Sequence, residues 1–338
     1  MLTEHFSKIE KKLDDFLVQI KPTPAPAPTP TPTPVTPSDG SQNYFVGSQL
    51  YVNPNSAVAQ FLAAHPNDPN AALLKKIADQ PTGIWLNYYW KSLADNQSSV
   101  RSTILDTLKL AGTKLVTFVI YGIVDRDAGG QSAGGAPDRA SYYAWCGAID
   151  AALKEAGNPK VVLIMEPDAL AFAQQKQNYA QYETIKVAID ILTQNPNRSL
   201  YLDVSMWNYP STDAMVGAIK FLKEQDQMKN VRGWALNTSG YNSDAMCQQF
   251  GKDLVAKVGG TFIVDTGRNG RGPAPVGQWE NVPGMALGAK PLIQFVVGMD
   301  ANIWAKPPGE SDGADNGAPA AGQFFYDRAV EMARNAKW

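Results

Sequence analysis

Histidine and cysteine are scarce in this chain of 338 residues. The two histidines, His5 and His65, lie near none of the acid-bearing segments described below. A Ser–His–Asp triad and a histidine-ligated zinc site are therefore excluded. The two cysteines, Cys146 and Cys247, form no CxxC pair and allow at most one disulfide. No stretch approaches the roughly 18 uninterrupted apolar residues of a membrane-spanning helix, so no membrane partner is expected. Neither sign of charge dominates. Thirty basic and 32 acidic residues give a net charge of −2, without the basic stripe that a nucleic-acid partner needs. No GxGxxG and no GK[ST] occurs, so no nucleotide cofactor is expected. The stretch "GESDGADNG" (309–317) carries acids, but Gln323 stands where a calcium loop starting at Asp312 would close with Glu, and no metal is expected. Catalysis, if any, falls to Asp, Glu, Tyr, Lys and Arg.

What is present comes in three parts. Residues 1–20 read as an amphipathic helix, with Leu2, Phe6, Ile9, Leu13, Phe16 and Ile20 at alternating four- and three-residue spacing. A solvated helix and a segment for self-association or docking are both open. Charges recur through it and there is no apolar run of the kind a signal peptide carries. Residues 21–43 place proline at nearly every second position, which favours extended polyproline II and a semi-rigid linker. The body, 44–338, alternates apolar runs with helix-like stretches. Strands are expected at 83–89, 114–121, 160–166, 199–207, 231–237, 261–266 and 299–305. Helices are expected at 97–111, 139–156, 179–194, 211–225 and 242–257. Near-continuous apolar strands separated by helices imply a parallel sheet covered on both faces. About seven such units suggest a closed or nearly closed β/α barrel, with an open doubly wound sheet as the alternative.

In such barrels the active site gathers at the C-terminal ends of the strands. Following each strand are Tyr121, Asp125, Arg126 and Asp127; Glu166 and Asp168; Asp203; Asn237; Asp265 and Arg268; and Lys306, Glu310 and Asp312. One acid past a strand often caps the next helix, and Asp168 could cap "ALAFAQQ" in that way. Several acids converging on one rim is a different pattern. Like charges held close push some carboxyl pKa values up, so that one acid stays protonated beside an ionised one. Two carboxylates in separate roles are what glycoside hydrolysis needs. The loop "RDAGGQSAGG" (126–135) has the small residues of a mobile lid. Trp85, Trp279 and Trp304 lie close to the rim in sequence and could offer flat faces to sugar rings, whereas Trp145 and Trp234 read as core.

In order along the chain, "YGIVDRDAGGQSAGGA", "IMEPDALA", "ALNTSGYN", "VDTGRNGRGPAP" and "IWAKPPGESDG" resemble the signature segments of glycoside hydrolase family 6, the endoglucanases and cellobiohydrolases. The resemblance spans about 44–338. It implies a distorted seven-stranded β/α barrel (TIM-like) and single-displacement, inverting hydrolysis of β-1,4-glucan. By that match Asp168 is the general acid, Asp127 raises its pKa and relays a proton, and Asp312 is the proposed base. Acid and base should then stand roughly 6.5–9.5 Å apart, leaving room for the attacking water. Tyr121 would press on the sugar ring at the cleavage point, and Ser132 would hold the water. Asp203, Lys306 and Glu310 would bind sugar hydroxyls, with Asn237 at the end of strand five as a further contact. Trp85 and Trp279 would stack under glucosyl units. The short segment after Asp312, "GADNGAPAAGQ", implies an open cleft and hence an endoglucanase.

The chain departs from that pattern in places. Ala128 and Glu280 stand where the family usually has cysteines, with Lys176 and Gly313 near the expected partners. The family's D-A-G-H after strand four reads "DVSM" here, so Met206 replaces the histidine, and Trp207 or Tyr209 must serve for a nearby tryptophan. A Pro/Thr linker beside such a body implies an extracellular setting, against which the missing disulfides weigh. Two other readings stay open: a hydrolase of another β-glucan, and a catalytically silent glucan-binding protein.

Overall fold

The computed structural model describes residues 43–338, apart from 90, 207, 225–229 and 292–295. The expected leader helix, all but the last residue of the linker, and Trp207 lie outside the described residues. In chain order the elements are helices α1 (Ala57–Ala64) and α2 (Ala71–Ala78), strand β1 (Ile84–Asn87), α3 (Leu93–Ala111), β2 (Val116–Tyr121), α4 (Arg139–Glu155), β3 (Val161–Met165), α5 (Ala169–Gln175), α6 (Tyr179–Leu192), β4 (Arg198–Asp203), α7 (Asp213–Lys223), β5 (Val231–Leu236), α8 (Asp244–Val258), β6 (Thr261–Asp265), β7 (Met299–Ile303) and α9 (Tyr326–Asn335).

The seven strands pair in sequence order, each parallel to the next. The sheet curls until its two ends meet: the Gly83 N–H, just before β1, donates to the Trp304 carbonyl beyond β7 at 2.8 Å. Gly83 is suited to that seam, since a Cβ there would fall 2.5 Å from the Ala305 carbonyl oxygen. The expected seven-stranded β/α barrel is thus present in distorted form, its β7–β1 side closed by loop contacts instead of a ladder.

Alternation along each strand explains the two apolar layers. Val162 and Ile164 of β3 face inward and pack with Val119, Tyr201, Ala235, Ile263 and Ala301. Val161, Leu163 and Met165 face outward beneath the helices, with Trp145, Leu170, Ile185 and Ile189. Trp145 and Trp234 are core residues, as their positions suggested. Helix starts are set by short polar side chains: Ser92, Asp138, Asn178 and Ser243 each accept a backbone N–H from the first turn of α3, α4, α6 and α8.

At the N-terminal ends of the strands the barrel interior is closed by a buried polar cluster. Arg232 of β5 donates to both carboxylate oxygens of Asp300 in β7, at 3.0 and 2.9 Å. The Tyr201 and Thr261 hydroxyls donate to Asp300 Oδ2 at 2.7 and 2.5 Å. Four strands are thereby tied by one carboxylate whose charge is paired.

Candidate active site

The strands' C-terminal ends carry the polar residues, and the backbone there is unusual. Asp125, Asp127, Ala128, Glu166, Asp168, Ser205, Asn237 and Ser239, all following β2 to β5, have positive φ although none is glycine. Each such residue costs on the order of 1–3 kcal/mol and persists only where its surroundings hold it.

Asp168 occupies the N-cap position of α5 with φ 68° but makes no side-chain capping hydrogen bond. Its carboxylate turns instead toward β4, where Oδ1 lies 2.6 Å from the Ser205 Oγ. The Asp168 N–H donates to Asp203 Oδ1 at 3.0 Å, which fixes the turn. Asp203, the last residue of β4, is itself buried, and burial raises its pKa against the pull of Thr238, of the Asp168 N–H and of Ser205.

Glu166, two residues before Asp168, points to the outside of the barrel instead of the rim. It is fully buried and accepts from the Gly122 N–H (3.0 Å), the Ile123 N–H (3.2 Å) and the Tyr142 hydroxyl (2.9 Å). Burial pushes its carboxyl up to about 7 against those donors. It anchors the turn that leaves β2 and carries Arg126 and Asp127.

That turn folds on itself. Asp127 Oδ2 accepts the Ser132 N–H at 2.7 Å, and the Arg126 Nε donates to the Ser132 carbonyl at 2.9 Å. Ser132 is thereby placed against Asp127. Burial raises the Asp127 pKa; the Ser132 N–H and Arg126 oppose this, while Asp312 adds to it. The Arg126 guanidinium lies 4.7 Å from the centre of the Tyr121 ring, and Trp85 meets the same ring edge-on at 5.2 Å. Burial, together with the charges of Asp127 and Asp168, raises the Tyr121 pKa, so its phenol stays neutral. Tyr121, Asp127 and Asp168 are therefore gathered in one place.

From the far side come the β6 and β7 loops. Asp312 pairs with Arg268 (2.5 Å) and Lys306 (3.6 Å) and accepts the Asn281 N–H at 2.9 Å. Burial opposes ionisation, but these partners outweigh it and hold the Asp312 carboxyl below its ordinary range. The Lys306 ammonium also lies 5.5 Å over the Trp85 ring. Glu310 is pushed up to about 7 by burial, with Lys306 drawing it down and Asp312 adding to the rise. Asp265 stitches three loops together by accepting the Ser239, Gly267 and Lys306 N–H groups. Asn237 is buried beside it; its amide donates to the Asp265 carbonyl at 2.9 Å and accepts the Asn242 N–H at 3.0 Å. Trp279 stands apart, 67% exposed on the loop before Asn281. Trp304 is buried against Trp338 instead of lying on the rim.

Several contacts of the site residues lie beyond what spacing could reveal. Ser205 between two acids, Arg268 on Asp312 and Arg126 on Tyr121 are contacts between distant or sharply turned segments. Glu280 is another: burial, then the neighbouring carboxyl of Asp315, then Asp312 and Asp127 push it up to about 7. The two cysteines are free and buried. Among the described residues no group of histidine, cysteine, aspartate or glutamate is arranged to hold a metal ion, and no helix is long and apolar enough to cross a membrane.

The chain can now be set beside known proteins. Endoglucanase A of Cellulomonas fimi is 37% identical over 295 residues, 86% of this chain and 62% of that relative, so this chain spans about three-fifths of its length. A probable 1,4-β-D-glucan cellobiohydrolase C of Aspergillus clavatus is 28% identical over 358 residues, covering 88% of this chain and 76% of the relative. Among solved structures, the endoglucanase Cel6 from Mycobacterium tuberculosis, in complex with methyl-cellobiosyl-4-deoxy-4-thio-β-D-cellobioside, aligns with a TM-score of 0.77. It is 31% identical, and the alignment covers 87% of this chain and 99% of that one. The family model described as glycosyl hydrolases family 6 matches residues 45–336, nearly the whole described barrel, and this chain belongs to that family.

Proposed function

We propose that the protein is an endo-β-1,4-glucanase that cleaves cellulose internally, with inversion, in an extracellular setting. The observation that carries this reading is the posture of Asp168, which holds the N-cap place of α5 at positive φ without capping it and presents its carboxyl at the strand ends. In the reaction, Asp168 protonates the glycosidic oxygen as the bond to the anomeric carbon breaks. Water adds to that carbon from the opposite face and loses a proton. Asp312 is the base in this reading. Arg268 keeps it ionised but weakly basic, so it orients the water and takes the proton late. Asp127, which binds the Ser132 N–H, supports the acid by its charge and by passing protons along the Ser132 loop. The neutral Tyr121 ring, braced by Arg126 and Trp85, supplies the wall against which a sugar ring is pressed. In this reading Lys306 and Glu310 contact sugar hydroxyls, the buried Asp203 and Asn237 support the turns behind the sugar-binding side, and Trp85 and Trp279 stack under glucosyl units.

One observation favours a cellobiohydrolase as the second reading. A Cβ on Gly313 would fall 2.5 Å from Gln131 Cβ, so the loop after β2 reaches the loop after β7, as a roof over the cleft would. Viscosity and reducing ends followed together on carboxymethylcellulose, with Asp168→Asn alongside, test both readings. A fast viscosity drop with few new ends, lost in the variant, supports internal cleavage by Asp168. New ends without a viscosity drop would favour the second reading. An inactive, well-folded wild type would overturn both.

A further inference from the structure

Past the end of β4 the chain turns at Ser205, with φ 37°, a conformation uncommon for a residue with a Cβ. The turn sets the Ser205 hydroxyl between two carboxylates. Its Oγ is 2.6 Å from Asp168 Oδ1 and 2.9 Å from Asp203 Oδ1. A hydroxyl carries one proton and can donate it to only one of them, while its lone pairs remain free to accept. Asp203 Oδ1 also receives the N–H of Asp168 at 3.0 Å and of Ser205 at 3.1 Å. Donors gathered on one oxygen favour its charged form. The Ser205 proton is therefore drawn to Asp203, and the Ser205 oxygen faces Asp168 as an acceptor.

Resting on the reading of Asp168 as the acid, we propose that Ser205 is a positioning residue that holds the acid's proton ready. In the resting site protonated Asp168 donates to Ser205 Oγ, and Ser205 donates to Asp203. When the Asp168 proton passes to the departing glycosidic oxygen and the C–O bond breaks, the Ser205 hydroxyl turns to donate to the new carboxylate. The water that adds to the anomeric carbon releases one proton, which balances the one Asp168 must regain. Asp168 acts on Tyr121 at the end of β2, and the other charged groups acting on that phenol come from separate elements: Asp127 and Arg126 in the loop that follows β2, and Glu166 in the β3 turn. From the β5 side the Thr238 hydroxyl faces Asp203. None of these is altered by a change at Ser205.

The test is the pH profile of Ser205→Ala on soluble cello-oligosaccharides. Alanine keeps the Cβ and its backbone demands and removes only the hydroxyl. Without its acceptor the Asp168 proton is held less firmly, so the alkaline limb of kcat should move down by about half to one pH unit. The loss in kcat should be roughly three- to tenfold, the size of one hydrogen bond, with KM little changed. On an aryl cello-oligoside with a strongly acidic phenol, which departs without a proton, the loss should nearly vanish. Ser205→Gly, which also relaxes the backbone, should show the same shift and serves if alanine disturbs the turn. An alkaline limb that stays in place or moves up, in a folded variant, overturns the assignment. Loss of equal size on both substrates would also overturn it, since a structural role alone predicts that result. Wild-type protein inactive on every β-glucan would overturn the functional reading itself, an outcome visible before any variant is made.

Discussion

The two ends of the barrel treat charge in opposite ways. At the N-terminal ends of the strands, Asp300 is paired with Arg232 and receives two hydroxyls; the ladders shift register at Arg232 and Asp300, but no residue of the cluster has positive φ. At the C-terminal ends, Asp168, Asp203, Asp127, Glu310 and Asp312 are crowded, and several sit in or beside left-handed turns. One end uses its polar groups to close the barrel. The other holds carboxylates in places that folding alone would not choose. The difference separates residues that stabilise from those proposed to react, and it can be broken experimentally from either side.

The largest effect expected is on rate, at the reacting end. Asp168→Asn keeps the shape, and asparagine tolerates positive φ. It removes the proton the acid must give, a contribution typically of 10²–10⁴-fold. We expect kcat to fall by about that range while the melting temperature stays level or rises. A variant that keeps more than about a tenth of the wild-type rate would remove Asp168 from the acid role. Asp300→Ala should do the reverse. It removes the carboxylate that Arg232, Tyr201 and Thr261 share, and breaking a buried ion pair costs about 3–5 kcal/mol. Urea unfolding should show that loss, while kcat measured well below the transition stays near wild type. A folded, stable Asp300→Ala protein would show that the bottom cluster is not what holds the strands together.

The same contrast explains how much could be read from sequence. The strands were legible because burial on both faces writes itself as an apolar run. Most of the expected segments overshoot the real ones at their C-terminal ends, at 204–206 most plainly, because residues such as Ser205 leave the sheet by a turn that hydrophobicity does not mark. Asp127, Asp168 and Asp312 were legible as acids just past strands. The helices α1 and α2 were not, since each is only eight residues long and takes its stability from contacts such as Leu74 and Ile77 packing in the cluster with Val330 and Met332. The pairing of Arg268 with Asp312, 44 residues apart, depends on how the loops fold and leaves no local signature.

A smaller effect concerns pH and stability. Glu166, Glu310 and Glu280 each reach about 7 in the folded chain, from an ordinary value of 4.5, with burial as the leading cause. Between those values the folded chain holds protons that the unfolded chain releases, so stability falls as pH rises across that window. Asp312, lowered in the folded chain, acts in the opposite sense, and its contribution is lost only in stronger acid. The melting temperature should therefore peak on the acid side of neutrality, near the foot of that window. Glu310→Gln, which removes one of the raised carboxyls, should shallow the decline toward neutral pH. A melting temperature flat across the window in the wild type would show that these acids ionise freely in the folded chain.

The smallest effect should come from Trp279, which belongs to the reacting end yet takes no part in its charge. Its ring is two-thirds exposed, so folding gains little from it, and Trp279→Ala should change stability by less than about 0.5 kcal/mol. If the indole is a platform for a glucosyl ring, truncation should cost binding alone. Covering part of an indole face is worth roughly 1–2 kcal/mol, which corresponds to a rise in KM on long oligosaccharides of up to about tenfold with kcat unchanged. Cello-oligosaccharides of increasing length sharpen the point, because chains too short to reach the loop should not distinguish variant from wild type. If the length dependence is unaltered in Trp279→Ala, the exposed ring lies off the path of the chain. The sugar contacts would then be confined to the Trp85, Tyr121 and Lys306 side of the cleft, where aromatic and charged groups are already packed on one another.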